Sequence, residues 1–364
     1  MEKELNPLSE LNELVDLVRS HPGVRNKAPI ALVSDILGPS DSFAGPGDDG
    51  AVVQDGDVTM VVGGEALWPP FVQGDPFGAG VAAVLANVND LAAMGARPLA
   101  IVDTVVGPEA LARNALEGMR YAAGLYQVPI VGGHLTIRDG APAISAFGLG
   151  RAAGPGADRV LSVRNAAPGQ SLIVACCIEG RMRDDFNFFR SFDERGTRLG
   201  DDIRVLPTVA ADGSCVAAKD ISMAGLVGSL AMLLEFRQLG ATVDLAALPR
   251  PSDVAMGAWL TTFPCFGFLL CSPAGREDAC MQPFHERGLA AAVVGSIDDS
   301  GLVRLRSEHR SEHELRSEHR SEHELRSEHE HEHEHEHEQE HEHEHETATV
   351  FDLRAESVTG LRPG

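Results

Sequence analysis

The sequence predicts an α+β protein of two domains, and three observations support this fold class. First, 364 residues are enough for two domains of ordinary size, each with its own apolar core. Second, short apolar runs typical of strands recur along the chain between segments with helical periodicity. Third, the glycine- and proline-containing stretch 154–158 follows the last strand of the first half and has the composition of a linker. We therefore expect one domain at residues 1–155 and a second at residues 156–364.

The charge of the chain bears on its partners. The formal net charge is −24 at pH 7, and residues 306–346, with 16 Glu and 5 Arg, account for −11 of it. The remainder is still acidic and contains only three lysines. Such a surface repels the phosphate backbone of nucleic acids, whereas nucleotide phosphates could be bridged to it by a cation such as Mg²⁺. We predict no nucleic-acid partner.

The N-terminal sequence and the cysteines indicate a cytoplasmic protein. Residues 1–14 begin with charges and helical periodicity where a signal peptide requires an apolar run, and no stretch has the length of a transmembrane helix. The six cysteines show no CxxC spacing, so buried free thiols are expected instead of disulfides or a zinc site. The sequence therefore predicts no membrane contact.

The first segments are helical and lead into an acidic loop. Amphipathic helices are expected at residues 8–19 and 30–37. A glycine- and proline-rich loop then brings Asp48 and Asp49 to the start of a strand. Two adjacent carboxylates repel each other unless a cation lies between them or one is fully solvated. The pair is therefore either part of a cation site or a solvated Asp-Asp-Gly turn.

An apolar helix within residues 78–98 carries three polar side chains. Alanines and branched apolar residues at helical spacing are interrupted by Asn87, Asn89 and Asp90. Each polar group would cost a few kcal/mol if it were buried without a partner, so we expect the three to line a cleft or hold a cation. The alternative for Asp90 is that it caps a helix beginning at Leu91.

Two further strands of the first half carry polar residues near their ends. Glu65 lies at the end of the second strand. A buried strand beginning near residue 128 is expected to end at Gly132, Gly133 and His134, where the glycines would allow a phosphate to approach closely. His134 then either contacts a phosphate or is a satisfied core histidine.

Two segments of the second half carry side chains that could bind a substrate or a metal ion. Residues 181–202 are rich in Arg, Asp and Phe, so this segment either selects the substrate through guanidinium groups or forms solvated ion pairs. Lys219 and Asp220 lie at a strand-to-helix junction, where Gly225 allows close approach of the backbone and the helix N-terminus offers N–H groups to an anion. Asp220 is therefore a further candidate metal ligand.

A His/Glu-rich repeat occupies residues 306–346. It has no apolar period and cannot bury a core, so we predict a disordered insertion. The segments GLVRL and TATVFDL on either side each have the pattern of a short strand, and the repeat is expected to replace the turn of a terminal hairpin. Its twelve histidines could chelate Zn²⁺ or Ni²⁺, or the repeat could be low complexity without a ligand.

Four motifs in this order resemble one protein superfamily. GDDGAVV at 47–53, DP at 75–76, NVNDLAAMGARP at 87–98 and VPIVGGH at 128–134 are similar to the ATP-binding domain of the AIR synthase (PurM)-like superfamily. Its members include aminoimidazole ribonucleotide (AIR) synthase, thiamine-monophosphate kinase, selenophosphate synthetase and the hydrogenase maturation dehydratase. The resemblance implies a two-domain PurM-like fold. In that fold the N-terminal mixed sheet forms a barrel with its copy across a homodimer, and the C-terminal domain is an α/β sandwich.

The resemblance also implies where the site lies. In relatives, Mg²⁺ bridges the phosphates of ATP to several aspartates, and KDISMAGL at 219–226 resembles a further motif of selenophosphate synthetase. Carried over by position, the metal ligands are Asp48, Asp49, Glu65, Asp90 and Asp220, of which Asp90 and Asp220 are also catalytic. The nucleotide-binding residues are Asp48, Asp49, Asn87, Gly132, Gly133, His134 and Lys219. Relatives usually have Asp at the position of Glu65, and thiamine-monophosphate kinase has Asp at that of His134.

These features predict an ATP- and Mg²⁺-dependent enzyme that activates a small-molecule substrate by phosphoryl transfer, of the kinase or synthetase type. Selenide chemistry is disfavoured because the first cysteine is Cys176, and hydrogenase maturation because the sequence ends Arg362-Pro363-Gly364 without an acceptor cysteine. Two other classes stay open. One is a non-catalytic nucleotide-binding homologue, and the other is a metal-handling protein that uses the His/Glu-rich repeat.

Overall fold

The described part of the chain forms two domains of mixed α+β structure, as predicted. The computed structural model describes residues 7–37, 47–154, 159–184, 186–308 and 345–361. Most of the predicted insertion, residues 309–344, and residues 155–158 of the predicted linker lie outside the described residues. Within the described part, no helix combines the length and the apolar character needed to cross a bilayer.

The helices and strands have the following bounds. The helices are α1 (Pro7–Ser20), α2 (Pro22–Arg25), α3 (Ala31–Leu37), α4 (Pro69–Gly74), α5 (Pro76–Ala93), α6 (Glu109–Tyr126), α7 (Phe192–Arg195), α8 (Leu199–Asp202), α9 (Val205–Asp212), α10 (Gly225–Glu235), α11 (Met256–Thr261) and α12 (Glu277–His285). The strands are β1 (Ala51–Asp55), β2 (Val58–Ala66), β3 (Ala96–Gly107), β4 (Ile130–Ile137), β5 (Ala143–Ala152), β6 (Ser171–Cys176), β7 (Arg181–Met182), β8 (Phe188–Arg190), β9 (Ala217–Asp220), β10 (Gly240–Asp244), β11 (Phe263–Pro264), β12 (Gly267–Ser272), β13 (Ala290–Asp298), β14 (Leu302–Glu308) and β15 (His345–Asp352).

The N-terminal domain is a five-stranded mixed sheet with helices α5 and α6 packed on one face. The strand order is β1-β2-β5-β3-β4, in which β3 and β4 are parallel and the other pairs are antiparallel. Val84 of α5, Met119 of α6 and Ile101 of β3 are buried in the same core. That core continues into the second domain through Phe266 and Phe268, so the two domains share one apolar interior.

The second domain is built on a seven-stranded sheet of order β15-β14-β10-β13-β6-β12-β9. A small sheet, β11-β8-β7, lies beside it. Helix α10 is buried over its whole length because its residues are almost all apolar. Strand β9 is at the edge of the large sheet and contacts α5, which brings its last residues to the N-terminal domain.

The first helix belongs to the second domain, which corrects the predicted boundary of residues 1–155. Leu11, Val15 and Val18 of α1 are buried in the core under the seven-stranded sheet. Arg19 donates a hydrogen bond to the carbonyl oxygen of Val350 in β15 and forms an ion pair with Glu356 at 2.7 Å. The periodicity of α1 predicts an apolar face, but it does not indicate which sheet that face covers.

Helix α5 is continuous, which makes the capping alternative for Asp90 wrong. The helix begins after Asp75, whose carboxylate accepts a hydrogen bond from the N–H of Gly78 at 2.8 Å. It ends at Ala93, so Asp90 lies in its last turn and precedes no new helix. Its carboxylate therefore caps no helix and is available to bind a ligand.

The predicted terminal hairpin is confirmed. Strands β14 and β15 pair antiparallel from Leu302 with Asp352 to Glu308 with His345. The strands thus include the first three and the last two residues of the predicted insertion at 306–346. Arg306 at its start forms an ion pair with Asp244 at 2.8 Å. The insertion therefore has to be shortened to residues 309–344.

Candidate metal and nucleotide site

Three carboxylates from both domains meet in one place. Asp49, Asp90 and Asp220 each offer a carboxylate oxygen, and these three oxygens lie within 4.8 Å of one another. Asp49 precedes β1, Asp90 is in the last turn of α5, and Asp220 ends β9. The backbone N–H of Asp220 donates to Asp49 Oδ2 at 3.0 Å, which ties the two domains together at this point. We call these three residues the carboxylate cluster.

Lys219 supplies one positive charge to the carboxylate cluster. Its Nζ forms an ion pair with Asp49 and lies 3.4 Å from Asp220 Oδ1. The Lys219 side chain is only 8% exposed. Its burial alone would lower the pKa of Lys219, but the carboxylates of Asp49 and Asp220 raise it above its ordinary value. Lys219 is therefore an ammonium ion that stabilises negative charge on the neighbouring carboxylates.

Lys219 does not compensate the cluster fully. Burial, together with repulsion from Asp220 and Asp49, raises the pKa of Asp90 well above its ordinary value. Burial and the charge of Asp49 raise the pKa of Asp220 to about 7. Such shifts indicate that a further positive charge would be stabilised here. A set of carboxylate oxygens suits a hard cation such as Mg²⁺, so the residues fit the ion that the superfamily resemblance implies.

Glu65 lies beside the cluster. The alternation along β2 places Val61, Gly63 and Glu65 on the side of the sheet that faces α5. Burial raises the pKa of Glu65, and its charge adds to the repulsion that raises the pKa of Asp90. Glu65 is not one of the three residues whose oxygens converge, and its role as a metal ligand stays a prediction.

Asp48 faces away from the cluster. Its carboxylate accepts hydrogen bonds from Ser162 Oγ at 2.8 Å and from the N–H of Val163 at 2.7 Å. These two bonds fix the loop before β1 to a short 3₁₀ turn in the second domain, while burial raises the pKa of Asp48 to about 6. In this structure Asp48 therefore positions Asp49. Ser162 is not among the residues predicted from the sequence, although a serine preceding a helical turn is a recognisable cap.

Asn87 is buried between α5 and the sheet. Its Nδ2 donates to the carbonyl oxygens of Ala83 at 2.8 Å and Ala146 at 3.1 Å. Its Oδ1 has no hydrogen-bond donor among the described residues. The absence of a Cβ at Gly148 leaves room for this side chain, because a Cβ there would lie only 3.2 Å from Asn87 Oδ1. Asn87 thus lies close to the cluster, but it does not enter it.

The prediction for residues 132–134 is partly wrong. Strand β4 does not end there but continues to Ile137, and its central residues are exposed instead of buried. Gly133 packs against β3, because a Cβ at this position would overlap the carboxylate of Asp103. The glycine is therefore needed for strand packing. His134 pairs with Thr104 in the parallel ladder. Contact of Gly132, Gly133 or His134 with a nucleotide stays a prediction.

Two family models and a curated relative match this chain. Residues 47–152 match the family AIR synthase related protein, N-terminal domain, and residues 196–308 match the corresponding C-terminal domain. The chain is 30% identical over 311 residues to an uncharacterized protein of Synechocystis sp. (strain ATCC 27184 / PCC 6803 / Kazusa), a match that covers 83% of this chain and 94% of that protein.

Solved structures show the same fold. T. maritima PurL complexed with ATP matches with a TM-score of 0.65 at 19% identity, over 83% of this chain and 50% of that chain. AaThiL complexed with AMPPCP and TMP matches with a TM-score of 0.59 at 19% identity, over 76% of this chain and 91% of that chain. The present chain thus spans half of the PurL chain and nearly all of the ThiL chain. It belongs to the AIR synthase-related, PurM-like superfamily.

Proposed function

We propose that the protein binds ATP through Mg²⁺ at the carboxylate cluster and activates a small molecule by phosphoryl transfer. The observation that carries this proposal is the convergence of Asp49, Asp90 and Asp220 within 4.8 Å. The ATP in the PurL structure and the AMPPCP in the ThiL structure support a nucleotide as the ligand. Phosphoryl transfer needs little covalent chemistry from the protein and depends on positioning and charge neutralisation, which this cluster can supply.

The carboxylate cluster, Lys219 and Asp48 have different tasks in this proposal. Asp49, Asp90 and Asp220 would hold Mg²⁺, which would supply charge neutralisation at the phosphates. The bond from the Asp220 N–H fixes one oxygen of Asp49, so this ligand is oriented before any cation binds. Lys219 stabilises the cluster through its ion pairs and offers an ammonium group to a phosphate. Asp48 holds the loop that carries Asp49.

The proposal predicts that ATP binding depends on Mg²⁺. Without the cation, the triphosphate would meet a cluster of the same sign of charge, so we expect ATP affinity to fall by at least about tenfold when Mg²⁺ is replaced by excess EDTA. Isothermal titration calorimetry measures both affinities. Equal affinities would refute the metal-bridged site.

A second experiment separates an enzyme from a non-catalytic homologue. ADP release is measured with a panel of small acceptors, and a non-catalytic homologue would bind Mg²⁺-ATP without releasing ADP.

The outer face of the N-terminal sheet supports a homodimer as part of the proposal. Large apolar side chains on this face are exposed on four neighbouring strands: Val53 of β1, Val62 of β2, Phe147 and Leu149 of β5, and Val102 of β3. A monomeric protein rarely leaves a continuous apolar surface of this kind in water. A second copy that packs on the same face would bury it and complete the barrel that the superfamily resemblance implies.

We therefore expect the protein to be a dimer at micromolar concentration. Phe147 is 45% exposed and lies on β5, the central strand, so Phe147→Asp would place a charge in the middle of the interface and yield a monomer. Val293→Asp is the matched control, since Val293 is similarly exposed, at 38%, on the other sheet. Light scattering on the three proteins tests this. A monomeric parent protein would contradict the prediction.

A further inference from the structure

A cavity lined by aromatic rings lies between the two domains, away from the carboxylate cluster. It has a volume of about 380 Å³, within the size range of small-molecule pockets. Helices α5 and α6 form one side. The other side is formed by Arg183, Phe186, Phe188, Arg190, Phe192 and Phe263. Six of the 14 phenylalanines of the chain line it, together with Tyr121. So strong a concentration of rings at one cavity is not expected from ordinary core packing.

The rings are held in place and yet do not fill the space between them. Phe188 and Phe263 pack with their ring centroids 4.7 Å apart, and Phe71 is stacked on Phe186 at 5.9 Å with an interplanar angle of 12°. Phe77 and Tyr121 nevertheless stay 39% exposed. Leaving apolar rings in water is unfavourable, and the faces of such rings stack well on another flat ring. The wall therefore suits a planar aromatic ligand.

Two arginines and one carboxylate border the cavity. Arg183, Arg190 and Asp75 are all among the residues that line it. Arg183 bonds to Asp75 at 2.7 Å and lies over the ring of Phe71 at 5.9 Å. Helix α5, 18 residues long, also begins here, but its N-terminus is already capped by the Asp75 carboxylate, so the anion-binding groups of the wall are the two guanidinium groups. Guanidinium groups favour an anionic group on the ligand.

The cavity and the carboxylate cluster use different faces of α5. Gly78, Val81, Ala82 and Leu85 line the cavity at the spacing of one helical face. Asp90 follows Leu85 by five residues, which places it roughly 140° around the helix and about 7.5 Å further along its axis. A ligand in the cavity would therefore not occupy the metal site.

We propose that this cavity is a second binding site, which takes a small planar aromatic anion: one or two fused rings that carry a carboxylate or a phosphate. The rings of both domains enclose the flat part of the ligand, and Arg190, with Arg183, pairs with its anionic group. Because the two domains each supply part of the wall, the ligand bridges them. This site is independent of the proposed ATP site, so each of the two proposals can be refuted without refuting the other.

Two arginines provide a matched pair for the test. Arg190 and Arg181 both pair with Asp193 Oδ2, at 3.0 and 2.8 Å, but only Arg190 is among the residues that line the cavity. We titrate 2-naphthoate, indole-3-acetate and phenyl phosphate into the full chain by calorimetry, with neutral 2-naphthamide as the uncharged counterpart. We expect saturable binding of at least one anion, and Arg190→Gln should weaken it about tenfold while Arg181→Gln leaves it within about twofold.

A space-filling variant tests the cavity itself. Ala82→Phe places a ring inside the cavity and should abolish binding of the anion. The thermal melt of the variant shows whether it is folded.

The proposal is overturned if no probe binds saturably up to millimolar concentration, if Arg190→Gln and Arg181→Gln have the same effect, or if 2-naphthamide binds as tightly as 2-naphthoate. Should Ala82→Phe fail to fold, the arginine pair alone decides. Mg²⁺-ATP titrations are run on the same variants, so loss of one site is distinguishable from loss of the other.

Discussion

Asp90→Asn is expected to remove the Mg²⁺-dependent part of ATP binding, and with it turnover, while the metal-free protein stays at least as stable as the parent. The substitution takes away one carboxylate of the cluster with little change in shape. Mg²⁺ would then keep only Asp49 and Asp220 of the three converging ligands. Amide oxygens bind Mg²⁺ less strongly than carboxylates, so we expect the affinity for Mg²⁺-ATP to fall at least about tenfold. Calorimetry measures the affinity, and thermal unfolding in EDTA measures the stability.

The difference in stability between Asp90→Asn and the parent should depend on pH. The direction of this dependence follows from the raised pKa of Asp90. A carboxyl group whose pKa is higher in the folded state binds more protons when folded, so its contribution to stability falls as pH rises from the unfolded value towards the folded one. Burial and the charges of Asp220 and Asp49 raise the pKa of Asp90 in this way. An asparagine does not titrate. The advantage of Asp90→Asn over the parent should therefore be absent at about pH 4 and grow towards about pH 8.

Asp57→Asn is the control for the change in net charge. Asp57 is exposed in the turn between β1 and β2, so its substitution removes the same charge without touching the cluster. It should leave both Mg²⁺-ATP affinity and the pH dependence of stability unchanged. If Asp90→Asn binds Mg²⁺-ATP as tightly as the parent and Asp57→Asn do, Asp90 is not a metal ligand.

The three residues of the cluster are among the five metal ligands predicted from the sequence, but the sequence could not say which of the five converge or how their charges are compensated. Motif order and the superfamily resemblance point to Asp48, Asp49, Glu65, Asp90 and Asp220, and the oxygens of Asp49, Asp90 and Asp220 converge. That Lys219 lies between two of these carboxylates depends on the packing of the edge strand β9 against α5, a long-range contact without a local pattern. For the same reason, the sequence could not distinguish Asp49, which faces the cluster, from Asp48, which faces Ser162.

The fold could be predicted where periodicity is local and was misjudged where burial depends on a distant partner. Helical spacing within residues 78–98 locates α5, although the helix begins slightly earlier, at Pro76, and ends at Ala93. Strand β4 has the apolar composition of a buried strand but is exposed in the single chain. The aromatic cavity was also missed, because its phenylalanines come from both domains. The only local signal is the clustering of Phe and Arg in residues 181–202.

Lys219→Met is expected to cause the largest loss of stability of any substitution at the site. Lys219 is the buried positive charge that pairs with Asp49 and Asp220, and its side chain is 8% exposed. Removing one partner of a buried ion pair leaves an uncompensated charge and typically costs about 3–5 kcal/mol. Urea unfolding of the metal-free protein at about pH 8 measures the loss. Saturating Mg²⁺ should restore part of it, because the cation supplies the missing positive charge to the folded state alone.

The pH dependence identifies the cause of this loss. Lys219 lowers the pKa values of Asp220 and Asp90 against the larger effect of burial, so without it both values rise further. The folded variant then retains its protons to higher pH, and its stability falls more steeply than that of the parent as pH rises from about 4. The deficit of Lys219→Met should therefore be small at about pH 5 and large at about pH 8. Lys27→Met is the matched control, because Lys27 acts on Asp220 more weakly than Lys219 does, and it should change stability little at either pH. A deficit of Lys219→Met that is the same at both pH values would mean that lost packing, and not uncompensated carboxylate charge, destabilises the variant.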